Sequence, residues 1–234
     1  MKRRRLLYLQ NGTKRQPVSD FDERFAAAGF EVDIHWAYGG EFPQSLDPYH
    51  AVFLSGSPHG AYETIPFITR EHELIVAMAE RALPTLGVCF GSQILASALC
   101  GRDQIFRRES CEVGYKWLDP TPIARSDELM CDLGDRVYMF VWHNDEIRAK
   151  HPDMRILATS NLCPNQIWRY RDLPMWGVQG HPEISHSQSR IWFEENRARL
   201  EADGADVDLL HAAADEAEGA TTLIDNFISI SRKA

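Results

Sequence analysis

No stretch of this sequence approaches the roughly 18 consecutive apolar residues that a membrane-spanning helix needs. A helical membrane protein is therefore not expected. Cysteine is scarce and odd in number: Cys89, Cys100, Cys111, Cys131 and Cys163, with no Cys-x-x-Cys spacing. That set argues against a disulfide framework and for a reducing, cytoplasmic setting. Basic charge is in deficit. Twenty-five lysines and arginines face 34 aspartates and glutamates, for a formal net charge of −9. A nucleic-acid partner, which needs a basic face, is not expected. There is no Gly-x-x-x-x-Gly-Lys-Ser/Thr phosphate loop. There is also no internal repeat, low-complexity tract or linker, so residues 1–234 read as one domain. The opening Met1–Gly12 is basic, but apolar only from Leu6 to Leu9. That is too short for the core of a signal peptide and reads as a basic lead into a first strand.

What is present is an ordinary globular balance of 44% hydrophobic and 25% charged residues. A chain of this size can bury a large core unaided by disulfides or metals. The first half alternates. Strands are expected over Arg5–Gln10, Phe30–Trp36, Ala51–Leu54 and Pro84–Val88. Helices are expected over Phe21–Ala28, Ile68–Ala82 and Phe90–Cys100, the first stopped by Gly29 and the last by Gly101. Strand, crossover helix and strand in series give an α/β fold, a mostly parallel sheet covered on both faces. The middle has more strand character: Glu112–Leu118, Arg136–Val141, Arg155–Thr159, Asn165–Tyr170 and Met175–Gln179. One long helix is expected over Ser185–Glu201, then two more over Val207–Ala217 and Ala220–Ser231, split at Gly219. Leu223, Ile224, Phe227, Ile228 and Ile230 form an apolar stripe on the last, most simply a face docked on the core. The charge runs Lys2–Arg5 and Asp215–Glu218 read as solvated faces.

The most informative stretch is Thr85-Leu86-Gly87-Val88-Cys89-Phe90-Gly91-Ser92-Gln93. A buried strand ends and a helix begins, with Cys89 at the turn and glycines two residues to either side. This is a nucleophile elbow with cysteine in place of serine. So sharp a turn strains the backbone, and strand and helix can approach only if the flanking residues are small. The thiol would sit at a helix N-terminus, where the dipole favours thiolate. The Phe90 N–H would be free to meet a developing oxyanion.

A thiolate needs a group to manage protons. Of the nine histidines, His181 stands out in Trp176-Gly177-Val178-Gln179-Gly180-His181-Pro182-Glu183. It follows a short apolar strand, which places it at the sheet's C-terminal edge. Glu183 can accept from the far imidazole nitrogen and fix the tautomer. His181, Glu183 and His186 do not suggest zinc, because Pro182 breaks the helix that His-Glu-x-x-His spacing requires. No metal or cofactor is expected.

Gly87-Val88-Cys89-Phe90-Gly91-Ser92-Gln93, followed about ninety residues later by Gly177-Val178-Gln179-Gly180-His181-Pro182-Glu183, resembles the class I glutamine amidotransferases over roughly residues 5 to 200. The family patterns are Gly-x-Cys-x-Gly-x-Gln and Gly-x-Gln-x-His-Pro-Glu. Leu54-Ser55-Gly56-Ser57-Pro58 is similar to the family's Ser-Gly-Gly-Pro oxyanion loop. Trp142-His143-Asn144-Asp145 resembles the Ser-His-Gly-Asp segment lining the glutamine pocket, and Glu112-Val113-Gly114-Tyr115 its Glu-Ile-Gly strand. The resemblance implies a flavodoxin-like open sheet, mostly parallel with helices on both faces, plus a small antiparallel segment. It implies that Cys89 attacks a side-chain amide to form a γ-glutamyl thioester, that His181 shuttles the proton and that Glu183 orients His181. It also implies an oxyanion hole from the N–H groups of Phe90 and Ser57. Substrate contacts are implied at Gly56 and Gln93 and from backbone around Trp142 and His143.

Two departures stand out. Ser57 replaces a glycine, at a cost of about 1 kcal/mol if the position needs positive φ. Gly180 replaces a common aromatic. The chain resembles both the glutaminase domain of GMP synthetase and the plant γ-glutamyl peptidase branch. Three readings follow: a free-standing hydrolase of glutamine or γ-glutamyl peptides, a glutaminase subunit feeding ammonia to a separate synthetase, or an inactive ligand-binding or regulatory member.

Overall fold

The computed structural model describes residues 3–16, 19–214 and 220–234; the side chains of Asp20 and His186 are not described. The chain opens with β1 (Arg4–Gln10), α1 (Asp20–Ala27), β2 (Phe30–Trp36), β3 (Ala51–Leu54), α2 (Pro66–Glu80), β4 (Thr85–Val88) and α3 (Phe90–Cys100). It continues with β5 (Ile105–Pro120), β6 (Val137–Ile147), β7 (Met154–Thr159), β8 (Ile167–Tyr170) and β9 (Met175–Val178). Helices α4 (His186–Glu195), α5 (Arg197–Ala202), α6 (Val207–Ala214) and α7 (Thr222–Ser231) complete it.

Among the described residues the strands join one nine-stranded sheet in the order β2-β1-β3-β4-β9-β8-β7-β5-β6. The pairs from β2 to β9 are parallel. Those from β9 to β6 are antiparallel. The parallel half has the 2-1-3-4-5 order of flavodoxin-like sheets. The antiparallel half extends further than the sequence suggests. Its outermost pair holds the longest strands, joined across an irregularity between Arg107 and Glu112.

Alternation along β1 sends Leu6 and Tyr8 to one face and Leu7 and Leu9 to the other. The first face packs under α1 and α7, with Phe25, Phe227 and Trp176 in ring contact. The stripe on α7 is thus a core-facing surface, as expected. The second face packs under α2 and α3. A third cluster, including Phe140, Phe193, Leu200, Val207 and Leu210, fastens α4–α6 onto the antiparallel strands.

Several boundaries differ for local reasons. Helix α2 starts at Pro66 rather than Ile68, since proline fits the first turn, where its missing N–H is not needed. The long helix expected over Ser185–Glu201 breaks at Asn196. There the Asn196 side-chain amide donates to the Trp192 carbonyl at 2.9 Å, alongside its own backbone N–H at 3.1 Å. Such side-chain competition for backbone partners weakens helices. The end of the helix expected over Val207–Ala217, the break at Gly219 and the run Asp215–Glu218 lie outside the described residues, as does Lys2. Among the described residues no helix is long and apolar enough to cross a membrane.

Candidate active site

Strand β4 is buried throughout and runs straight into α3 with Cys89 as the hinge. Cys89 has φ 51° and ψ −111°, a conformation that L-residues rarely hold and that costs about 1–3 kcal/mol. Its N–H donates to the Val178 carbonyl at 2.8 Å, so β9 pins the strained residue. The glycines are sterically required. A Cβ at Gly87 would stand 2.3 Å from the Gly91 carbonyl oxygen, and one at Gly91 would stand 2.1 Å from that of Leu54. Strands β3 and β4 and helix α3 therefore touch backbone to backbone, and Cys89 is pushed out at the sheet's C-terminal edge. Its Sγ lies 3.6 Å from the Trp142 carbonyl.

Strand β9 lies beside β4 with Val178 opposite Val88, so the chain leaving β9 starts next to the elbow. The Gln179 N–H donates to the Gln166 carbonyl at 2.7 Å and that of His181 to the Phe140 carbonyl at 2.9 Å. These bonds bring His181 back over Cys89. A side chain begun at Gly56 would find His181 Cε1 at 3.6 Å and Cys89 Cβ at 3.7 Å, so imidazole and thiol share the space above Gly56. His181 Nδ1 meets Glu183 Oε1 at 2.8 Å. Burial alone lowers the imidazole pKa, but the Glu183 charge and hydrogen bonds to Cys89 and Glu183 outweigh it and push it up to about 10. These surroundings favour the protonated ring. About a tenth of its side-chain surface remains open, enough for approach from outside.

Gly180 has a physical reason. A Cβ there would sit 2.6 Å from Met139 Sδ and 2.8 Å from the Phe140 carbonyl oxygen, so strand β6 fills the room an aromatic would need. Aromatic surface comes instead from Phe140 and Trp192, each with its ring centre 6.0 Å from that of His181. Trp142 packs edge-on against Trp192, and its indole N–H donates to Asp203 Oδ2 at 2.7 Å.

The loop after β3 runs beneath this space. Among the described non-glycine residues, positive φ occurs only at Ala82, Cys89, Asp132 and Arg171. Ser57 therefore carries no left-handed penalty, and the cost considered for a serine there does not arise. Its Oγ accepts from the His59 N–H at 3.3 Å. Phe90 is the first residue of α3, and its N–H has no carbonyl of its own helix to reach.

The side chains of Gln93 and His143 are committed to hydrogen bonds inside the fold. Gln93 is buried, and its NH2 donates to the Asp145 carbonyl at 3.1 Å and to Gln179 Oε1 at 3.3 Å. Buried His143 points Nδ1 at the Asp145 carbonyl (2.9 Å) and Nε2 at Glu112 (3.0 Å). Both brace β6, which leaves its backbone at Trp142 as the part facing Cys89.

Among the described residues, Glu112, His143 and Cys163 bring three potential ligand atoms within 4.8 Å of one another. Arg108 stands 4.0 Å from the same Glu112 carboxylate and binds Glu146, so a cation here would meet a guanidinium. Burial raises the Glu112 carboxyl, but its bond to His143 and the His143 and Arg108 charges hold it below the usual range. The trio reads as a brace. Asn11 and Glu71, a buried pair behind the Ser55–Ser57 loop, were not expected from the sequence.

The family model for class-I glutamine amidotransferases matches residues 18–198. The chain belongs to the class-I glutamine amidotransferases. A relative of this amidotransferase, a glutamine-hydrolyzing GMP synthase subunit of Methanothermobacter thermautotrophicus, is 28% identical over 124 residues. The match covers 53% of this chain and 63% of that one. The glutamine-hydrolyzing GMP synthase of Porphyromonas gingivalis is 31% identical over 148 residues, 63% of this chain and 28% of that one. The matched region thus spans less than two thirds of the length of either relative. A glutamine amidotransferase of Thermotoga maritima has the same fold, with a TM-score of 0.87 over 100% of both chains at 24% identity. One from Methylobacillus flagellatus scores 0.76 over 97% of this chain and 95% of that one, at 20% identity.

Proposed function

We propose that this amidotransferase hydrolyses the side-chain amide of glutamine, or of a γ-glutamyl amide or peptide, through a γ-glutamyl thioester on Cys89. The observation that carries the reading is the meeting of Cys89 and His181 above Gly56, with Glu183 2.8 Å from the far ring nitrogen. The Cys89 thiolate attacks the amide carbonyl. The N–H groups of Phe90 and Ser57 receive the charge that develops on oxygen. His181, in its protonated form, gives its proton to the departing amine. As the thioester is hydrolysed, the neutral ring takes a proton from water, and Glu183 stabilises the cation each time.

A second reading is favoured by the relatives. Those from Methanothermobacter thermautotrophicus and Pyrococcus abyssi are named as one subunit of a GMP synthase, which implies at least one more. A glutaminase that passes ammonia to a separate synthetase is therefore a specific alternative. Amine release by the lone chain over glutamine and a γ-glutamyl dipeptide panel tests both. Steady turnover of dipeptides supports the free-standing hydrolase. Weak ammonia release from glutamine that rises when a GMP synthetase partner is added supports the partnered form. Binding of glutamine with no turnover of any γ-glutamyl amide, alone or partnered, would overturn both and leave a ligand-binding member.

A further inference from the structure

Behind the loop that faces the thiol lies a fully buried polar pair that the proposed chemistry does not use. Asn11 follows directly on β1 and is 0% exposed. Its backbone N–H donates to Ser55 Oγ at 2.9 Å, and its side-chain amide donates to the Ser55 carbonyl at 3.2 Å. Ser55 Oγ donates in turn to the Gly56 carbonyl at 3.2 Å. The backbone leading into Gly56, the residue beneath thiol and imidazole, is thus held by one asparagine. The same Asn11 amide group donates to Oε1 of Glu71 at 3.1 Å.

Glu71 sits on the buried face of α2, also 0% exposed. Among the described residues no lysine, arginine or histidine forms an ion pair with it. Two buried oxygens stay without a hydrogen-bond partner, Glu71 Oε2 and Asn11 Oδ1. With an ionised carboxylate both would be bare acceptors, and a buried unpaired charge would be added to two unmet hydrogen bonds. With a carboxylic acid, Oε2 becomes a donor, and Asn11 Oδ1 is an unfilled acceptor on the residue already bound. An amide–acid ring, with Asn11 N–H to Oε1 and Oε2–H to Asn11 Oδ1, would meet both needs. The electrostatics agree. Burial pushes the Glu71 carboxyl up to about 8, with the Asn11 hydrogen bond opposing weakly.

We propose that Glu71 is a positioning residue that works as an uncharged acid, pairing with Asn11 and through it setting the Ser55–Ser57 backbone that receives the developing oxyanion. The inference rests on the hydrolase reading above. A preorganised donor counts only if aimed where charge develops, and loss of one such donor costs roughly 10²–10³ in rate. A loop released from behind keeps its donor but loses its aim, so a smaller loss is expected.

The test compares Glu71→Gln and Glu71→Leu in the full chain. Glutamine keeps one acceptor and one neutral donor on the same stem. It is expected to retain kcat within about twofold, whereas leucine lowers kcat roughly tenfold with KM little changed. Cys89 alkylation by iodoacetamide builds no oxyanion and is expected to proceed at the wild-type rate in both. Infrared difference spectra of wild type against Glu71→Gln at pH 7 should show a protonated-carboxyl stretch lost in the variant. This readout needs neither turnover nor a folded leucine variant. Wild type without turnover would defeat the hydrolase reading while the spectrum still reports the Glu71 proton. The proposal is overturned if that spectrum shows a carboxylate, or if Glu71→Gln is as impaired as Glu71→Leu. Wild-type kcat in Glu71→Leu would also overturn it, as would alkylation slowed in step with turnover.

Discussion

Cys89→Ser is expected to lower γ-glutamyl amide turnover by at least about 10⁴-fold, the scale set by removing other enzymes' nucleophiles. The substitution is small in volume, and the strained backbone at φ 51° is imposed by neighbours, chiefly the β9 carbonyl and the flanking glycines. The unfolding temperature should therefore stay within about 2–4 °C of wild type, the shift that 1 kcal/mol gives in a chain of this length. What changes is chemistry. A hydroxyl ionises far less readily than a thiol and has to lose its proton during attack. A serine here would need a base for that proton, and the Glu183 charge favours the protonated form of His181. Amine release and thermal unfolding measured on one preparation check both halves. A rate near wild type would remove Cys89 from the reaction.

Gly91→Ala should be strongly destabilising for the addition of a single methyl group. Its Cβ would lie 2.1 Å from the Leu54 carbonyl oxygen and 2.7 Å from the carbonyl carbon. Neither can retreat, because Leu54 is paired with Leu9 on one side and Gly87 on the other. Relief requires α3 to lift off the sheet, which breaks the second core face and moves the elbow. A loss of at least about 3 kcal/mol is expected, a large share of the roughly 5–15 kcal/mol typical of folded domains. Gly12→Ala is the matched control, since its Cβ would meet nothing closer than 3.5 Å. Urea unfolding midpoints read the difference directly. Equal midpoints for the two variants would mean that the close contact of β3 and α3 is not what fixes the elbow.

The elbow was legible in sequence because its requirement is local. Two glycines flanking a cysteine between a buried strand and a helix serve little purpose besides a tight turn, and the steric contacts at Gly87 and Gly91 supply the reason. His181-Pro182-Glu183 was legible for the same cause, since residues two apart can meet without the rest of the fold. The extent of the antiparallel half was not. Strand β5 starts at Ile105 and passes through the charged run Arg107-Arg108-Glu109, ahead of the strand expected from Glu112, and pairs with β6 across the irregularity. The break at Asn196 turns on which donor takes one carbonyl, and no periodicity encodes that. Gln93 and His143 carry family motifs, yet their side chains are committed to internal hydrogen bonds, a fact that depends on strands far away in sequence. The Asn11–Glu71 pair spans 60 residues. One signal for it was available. Glu71 falls on the same helical face as Ile68, Ile75 and Met78, and a lone acid on an apolar stripe needs a buried partner.

On the proposed reading one thiol out of five is a nucleophile, and the other four make a stringent comparison. Burial pushes Cys100 up to about 12 and Cys111 up to about 11, and raises Cys163 further, while Cys131 is exposed. Cys89 itself is only 8% exposed. Treating the protein with a glutamine-mimicking electrophile and mapping modified peptides by mass spectrometry separates activation from mere access. Labelling is predicted at Cys89 alone, slowed by added glutamine. Labelling that follows exposure, with Cys131 first and Cys89 behind it, would contradict an activated thiolate at the elbow.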